Sequence, residues 1–267
     1  ESFRLLGLDY VYLCFDVNEE TLPAAVAGLK TCGIRGFNLT MPNKNKIVEL
    51  LDELSPEAQL IGAVNTVLND NGKLIGYNTD GYGFMQSVRD AGHDITGKNI
   101  TVMGVGGASM AICAQSALDG AASVHIFARR TSRYWNRTQK FAENLSAKTG
   151  CQVCLFDNDD HTALRDSIAQ SYLLINATSV GMVPDIDDTI IKDTSLFHPE
   201  LVVADVVYEP QETRLLREAK AAGCQTFNGM YMLLHQGAKA FQIWTGQEMP
   251  VSVCLLYTLT LPTTPYV

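Results

Sequence analysis

The chain has 267 residues, 46% of them hydrophobic, which is enough for one large domain or two modest ones with a buried core. Its 20 basic and 29 acidic residues leave a net charge of −9, which argues against nonspecific nucleic-acid binding through a dense basic surface. No apolar run reaches the ~18 residues of a membrane span, no signal peptide is recognised at the start, and seven cysteines without a regular framework point to a reducing, cytoplasmic setting.

The first block runs from about Glu1 to His93. Tyr10–Val17 is apolar and aromatic-rich and reads as a strand. In Thr21–Cys32, Leu22, Val26 and Leu29 recur at helical spacing and Pro23 suits the first turn, so a helix is predicted. Gly36–Thr40 is a short strand, and Asn45–Leu54 is expected to be helical. Ala63–Leu68 and Lys73–Tyr77 read as a hairpin around Asn71-Gly72, a type I′ pair. A further helix is expected over Asp80–Ala91.

The second block, from about Asp94 to Thr226, alternates strand and helix. Asn99–Met103 is a buried-type strand, Gly104–Gly107 a turn, and Ala108–Leu118 a helix. Ser123–Ala128 is the next strand, Arg133–Thr149 a long polar helix, and a strand follows at Cys151. Leu173–Ala177 and Val202–Val206 are short apolar strands. Such alternation predicts an α/β fold whose sheet is mostly parallel, with helices on both faces. Cys151 and Cys154 have C-x-x-C spacing, but on a strand their side chains face opposite ways, so a structural role is expected and no metal. A third block opens near Phe227, and its helix Met230–Thr245 is expected to return onto the first block.

Two patterns carry chemistry. Gly104, Gly106 and Gly107 with Ala108 follow a strand and open a helix. Glycines there let backbone N–H groups approach a pyrophosphate at a positive helix end. Ser109 stands where the dinucleotide fingerprint has its third glycine, so the motif alone is not decisive. After the second strand, Arg129, Arg130 and Arg133 replace the acidic residue that would read an NAD ribose. Arginine forks suit a 2′-phosphate, which favours NADP over NAD.

The other pattern is a set of polar strand ends: Asn38, Thr40 and Lys44; Asn65 and Thr66; Asn78, Thr79 and Asp80. A lone lysine is usually a surface group, but recurring polar ends beside a nucleotide turn point to proton transfer coupled to hydride transfer. In that reading Lys44 exchanges the proton of a substrate hydroxyl, and Asp80 orients the lysine and the substrate.

These stretches, together with Asn176-Ala177-Thr178-Ser179-Val180-Gly181-Met182 and Gln236-Gly237, resemble the shikimate dehydrogenase family, specifically its quinate/shikimate branch. The resemblance spans roughly residues 1–250. It implies an enzyme of two α/β domains. One is a parallel-sheet substrate-binding domain of residues 1–95 completed by 228–267, and the other a Rossmann-type NAD(P) domain of residues 96–227. It implies reversible oxidation of shikimate or quinate at C3, with Lys44 and Asp80 as the catalytic pair. Thr40, Asn65, Gln236 and Tyr208 fall on substrate positions, while Thr178, Ser179, Met182 and Gly229 fall beside the cofactor. Arg129 and Arg130 fall on the adenosine-side turn, with Thr131 where the branch often carries Asp. A small-molecule substrate, no membrane or nucleic-acid partner, and a monomer or homodimer are expected.

Three departures from the family pattern stand out. The opening strand and Ser-x-Ser stretch that bind the substrate carboxylate have no match from Glu1 onward, Tyr231 replaces a glycine, and Val251–Val267 does not read as the closing helix. They keep a second reading open, a catalytically impaired nucleotide-binding relative acting as a sensor or structural partner. A tetrahydrofolate dehydrogenase is a third, opposed by Asn78-Thr79-Asp80-Gly81.

Overall fold

The computed structural model describes residues 1–254, so the expected change of the tail over 255–267 lies outside the described residues. Two sheets form the frame. The first is built from β1 (Gly36–Asn38), β2 (Glu53–Leu54), β3 (Thr66–Asp70) and β4 (Lys73–Tyr77), in the order β1-β3-β4-β2. Around it lie α1 (Ser2–Leu5), α2 (Leu22–Thr31), α3 (Asn43–Lys46) and α4 (Pro56–Ile61). The hairpin turn is left-handed at both central positions, Asn71 (φ 53°) and Gly72 (φ 90°), as a type I′ turn requires.

Three expectations for this half are corrected. The first sheet is mixed, not parallel: β3 runs antiparallel to β1 and β4, and only β2 is parallel to its neighbour. The expected helix over Asn45–Leu54 ends early. After α3 and a 3₁₀ turn at Ile47–Leu50, Asp52 N donates to Leu74 O at 3.0 Å and Leu74 N donates to Asp52 Oδ2 at 2.7 Å, which draws the chain into pairing with β4. Residues 10–17 are not a strand. β1 pairs with β3 on one side only, and Val11, Leu13 and Phe15 are 82%, 65% and 64% exposed. An apolar run makes a strand only where a neighbour completes the backbone ladder. The segment is tied down instead by Tyr12, whose hydroxyl donates to Asn38 Oδ1 at 2.9 Å, and by Val17 O, which accepts from Asn43 Nδ2 at 2.6 Å.

α5 (Asp80–Asp90) leads to the second half. There β5 (Asn99–Met103), α6 (Gly107–Leu118), β6 (Ser123–Ala128), α7 (Trp135–Thr149), β7 (Gln152–Asp157) and α8 (His161–Gln170) follow one another. β8 (Leu173–Asn176), β9 (Val202–Asp205), α9 (Arg214–Ala221) and β10 (Gln225–Phe227) complete it, and α10 (Met230–Thr245) closes the described chain apart from a short helical end at 251–254. All six strands are parallel, in the order β10-β9-β8-β5-β6-β7. This is the doubly wound arrangement, in which the chain reverses direction between β5 and β8.

Strand alternation builds two cores at once. Val102, Ile126, Ile175 and Ala204 pack toward α5 and α6, while Met103, Phe127, Leu174 and Val203 pack toward α9 on the opposite face. Phe84 and Met85 of α5 belong to the first of these cores, so α5 is packed as part of the second half. A separate, smaller core of Ile47, Val64, Val67 and Leu74 underlies the first sheet. α10 packs along α5, and its Trp244 Nε1 donates to Val67 O of β3 at 2.9 Å. No helix among the described residues is long and apolar enough to cross a membrane.

Candidate active site

Lys44 lies on α3, just after the turn in which Asn43 N donates to Thr40 O at 3.0 Å. Its carbonyl accepts from Val64 N at 2.8 Å, which ties α3 to the entry of β3. Gly62 makes that entry possible: it ends α4 at φ 68°, a left-handed conformation that favours glycine. Lys44 Nζ donates to Asp80 Oδ2 at 2.7 Å, and Asn65 Nδ2 donates to Asp80 Oδ1 at 2.8 Å. Asn65 is 2% exposed, and its Oδ1 accepts from Thr79 N at 2.9 Å. Asn78 is anchored through Nδ2 to Ala63 O at 3.1 Å, and its Oδ1 accepts from Asp80 N at 3.2 Å.

The carboxylate is therefore held by partners that are themselves fixed to backbone. Its position as the first residue of α5 adds a favourable interaction with the helix N-terminus. The Lys44 and Asp80 side chains remain 21% and 13% exposed, so a ligand can reach the pair. An ammonium oriented by a carboxylate and open to a ligand can exchange a proton with a hydroxyl or a carbonyl oxygen.

Glycines bring this pair close to the second sheet. A Cβ on Gly81 would meet Ala111 O of α6 at 2.3 Å, and one on Gly83 would meet Gln236 N and Met232 O of α10 at 2.7 Å. α5 thus touches both neighbours through bare backbone. Ala111 is four residues into α6, about 6 Å of helix rise from its start.

A cleft of about 1370 Å³ opens outside the carboxyl ends of β5, β6, β8 and β9, at the point where the strand order reverses. Gly104 (φ 111°) has no room for a side chain, since a Cβ would lie 2.8 Å from Thr178 Cγ2. Around Gly106 and Gly107, by contrast, the Cβ positions are open space, and no side chain caps the start of α6. Uncapped N–H groups beside an empty glycine cradle fit a pyrophosphate. Arg129, Thr131, Ser132 and Arg133 form the far wall, and Arg133 is steadied by its contact with the Tyr134 ring at 4.7 Å. This wall presents two guanidinium groups, whose forked donors match phosphate geometry.

Of the residues expected here, the structure brings Lys44, Asp80 and Asn65 into one hydrogen-bonded group. Gly104, Gly106, Gly107, Ala108, Arg129, Thr178, Ser179, Met182 and Tyr208 line the cleft. Thr40 is exposed beside α3, and Gln236 sits on α10 with its Nε2 donating to Leu233 O at 3.0 Å. Lys44, Asp80, Asn65, Thr40 and Gln236 are not among the residues lining this cleft, and two of the expected cofactor-side residues also stand apart from its wall. The Arg130 guanidinium lies over the Trp135 ring at 4.6 Å, and Gly229 is buried against Val206, its N–H donating to Val207 O at 3.1 Å. Thr131, Ser132 and Tyr134 were not singled out in the sequence as lining residues, though they flank the arginines that were. Among the described residues no group of His, Cys, Asp and Glu is arranged to hold a metal.

Fold and cleft together define an α/β protein of the doubly wound, dinucleotide-binding class, with a hydrogen-bonded Lys44–Asp80 pair at the start of α5. The model of the shikimate dehydrogenase substrate binding domain matches residues 1–67, and that of the shikimate 5′-dehydrogenase C-terminal domain matches residues 229–255. A shikimate dehydrogenase (NADP(+)) of Listeria innocua serovar 6a is 51% identical over 251 residues, 94% of this chain and 86% of that protein. The crystal structure of shikimate 5-dehydrogenase from Listeria monocytogenes with shikimate and NAD is similar at a TM-score of 0.94 and 49% identity, covering 97% and 89% of the two chains. Quinate dehydrogenase from Corynebacterium glutamicum with NAD is similar at a TM-score of 0.86 and 31% identity, covering 97% and 92%. The chain belongs to the shikimate dehydrogenase family.

Proposed function

We propose that this chain interconverts shikimate and its 3-dehydro form using NADP, with Lys44 and Asp80 as the catalytic pair. The observation that carries the reading is the 2.7 Å contact between Lys44 Nζ and Asp80 Oδ2, made at the end of the helix that packs by bare backbone onto the nucleotide-side helix. Thr40, Asn65, Gln236 and Tyr208 would hold the hydroxy acid. Gly104, Gly106, Gly107, Ala108, Arg129, Arg130, Thr178, Ser179, Met182 and Gly229 would hold or shape the cofactor site. Bound NADP supplies the hydride acceptor in the oxidising direction and the donor in reverse.

In its neutral amine form Lys44 takes up the proton of the C3 hydroxyl as the alcohol is oxidised, and as the resulting ammonium it returns that proton to the carbonyl oxygen in reduction. Asp80 fixes the direction of the lysine, and Asn65 fixes Asp80. Arg129 and Arg133 on the cleft wall favour the cofactor carrying the extra phosphate. The division into residues 1–95 with 228–267 and residues 96–227 belongs to this reading, with α5 and α10 forming the seam. Exposed Cys14 and Cys32 suit a reducing compartment, the cytoplasm.

The test is a steady-state comparison of shikimate and quinate with NADP+ and NAD+. Shikimate with NADP+ should give the highest kcat/KM of the four pairs. Nucleotide binding with no turnover in any pair would overturn the enzyme reading and leave the impaired relative.

A further inference from the structure

Asp205 ends β9 with 0% of its surface exposed, and among the described residues no cation accompanies it. Its Oδ1 accepts from Asn176 Nδ2 at 3.0 Å and from Val207 N at 2.9 Å, and its Oδ2 accepts from Thr213 Oγ1 at 2.8 Å. Desolvation raises its carboxyl above the ordinary aspartate value, against the pull of these three donors. Burying a carboxylate without a counter-charge is costly unless donors satisfy its oxygens.

The three donors lead to the walls of the cleft. Asn176 Oδ1 accepts from Thr178 N at 3.1 Å and from Thr178 Oγ1 at 2.6 Å, and Asn176 Nδ2 also reaches Val180 O at 3.1 Å. Thr178 Oγ1 in turn accepts from Val180 N at 3.1 Å. Val207 sits in the stretch Val206–Glu209 that lines the cleft, and its carbonyl holds Gly229 N at the head of α10. Thr213 caps α9 by accepting from Leu216 N at 3.4 Å.

We propose that Asp205 is a positioning residue for cofactor binding: its carboxylate sets the relative placement of the Ala177–Val183 and Val206–Glu209 walls of the dinucleotide cleft. This rests on the dehydrogenase reading above. A carboxylate suits the task because all three partners donate to it. An amide at this position could keep its oxygen on Asn176 and Val207, but it would present an NH₂ where the Thr213 hydroxyl now finds an acceptor, so that hydroxyl would lose the bond that ties it to β9.

The test compares Asp205→Asn, Thr213→Val and Thr213→Ser in the full chain by NADPH fluorescence titration, amide hydrogen exchange of the unliganded protein, and steady-state kinetics. Asp205→Asn should weaken NADPH about tenfold, the worth of one or two hydrogen bonds. KM for NADP+ should rise in parallel, KM for shikimate should stay within about twofold, and exchange should accelerate at Thr178, Val180 and Val207. Should Asp205→Asn fail to fold, Thr213→Val carries the test: a loss of about threefold in NADPH affinity, restored by Thr213→Ser, is expected. NADPH affinity and exchange at wild-type values in the folded variant would overturn the proposal, as would equal rises in both KM values. Titration and exchange are read without turnover, so they stand apart from whether shikimate is oxidised.

Discussion

Asp80 and Asp205 each gather hydrogen-bond donors where a strand gives way to the next segment, but their surroundings differ. Asp80 meets an ammonium, remains 13% exposed, and is held by residues of the first half. Asp205 meets Asn176, Val207 and Thr213, none of them charged, and is closed off from solvent. A carboxylate with a counter-charge and an open face can take part in proton traffic. One sealed among neutral donors keeps its neighbours in place instead. On the readings proposed above, the two halves of the molecule use the same side chain for chemistry on one side and for alignment on the other.

Removing the ammonium should separate the halves most sharply. Lys44→Ala should lower kcat by about 10²- to 10⁴-fold, the range for loss of a general acid–base group, with NADPH affinity within about twofold by fluorescence titration. An equal fall in cofactor affinity would show that the two halves are not independent.

A smaller effect is expected at the seam. Gly83→Ala places a carbon 2.7 Å from Gln236 N and Met232 O, both main-chain atoms that cannot swing away. Overpacking of this kind costs about 1–3 kcal/mol, to be read from denaturant midpoints. KM for shikimate should rise more than KM for NADP+, because Gln236 moves with α10. On the cleft wall, Arg129→Ala should raise KM for NADP+ about five- to tenfold with that for NAD+ little changed, in line with loss of one phosphate contact. Arg130→Ala should do less, its guanidinium lying over Trp135.

The smallest effect is a pH dependence at Asp205. Its folded carboxyl is raised above the ordinary value of 3.8, so the folded state holds the proton more tightly than the unfolded chain. Its contribution to stability therefore falls as pH rises from that ordinary value through the raised one. Asp205→Asn carries no such proton. The Tm of the variant relative to wild type should climb across that interval, and a flat difference would contradict the assigned burial cost.

The parallel sheet was legible because its strands are apolar runs bounded by glycine or polar residues, and Asn99–Met103 and Ser123–Ala128 form as read. Asn71-Gly72 was legible because the turn needs left-handed residues. Residues 10–17 misled because apolar composition describes half of a pairing, and the pairing decides. The Lys44–Asp80 contact followed from polar residues at strand ends, whereas the Asp205 network did not. Its members are spread from Asn176 to Thr213 and converge only through the register that sets Asn176 opposite Asp205. The distinct settings of Arg130 and Arg133 were hidden for a similar reason, since basic residues three positions apart diverge according to which ring each finds.

The glycine contacts of α5 carry a consequence for substrate range. Main-chain atoms are the same whatever side chains surround them, so the distance from Asp80 to the nucleotide-side helix is insulated from drift elsewhere in the sequence. In the proposed site, α10 side chains such as Gln236 can then be exchanged to suit a different hydroxy acid without retuning where the proton leaves. A fold shared with a quinate dehydrogenase at 31% identity accords with such a division of labour.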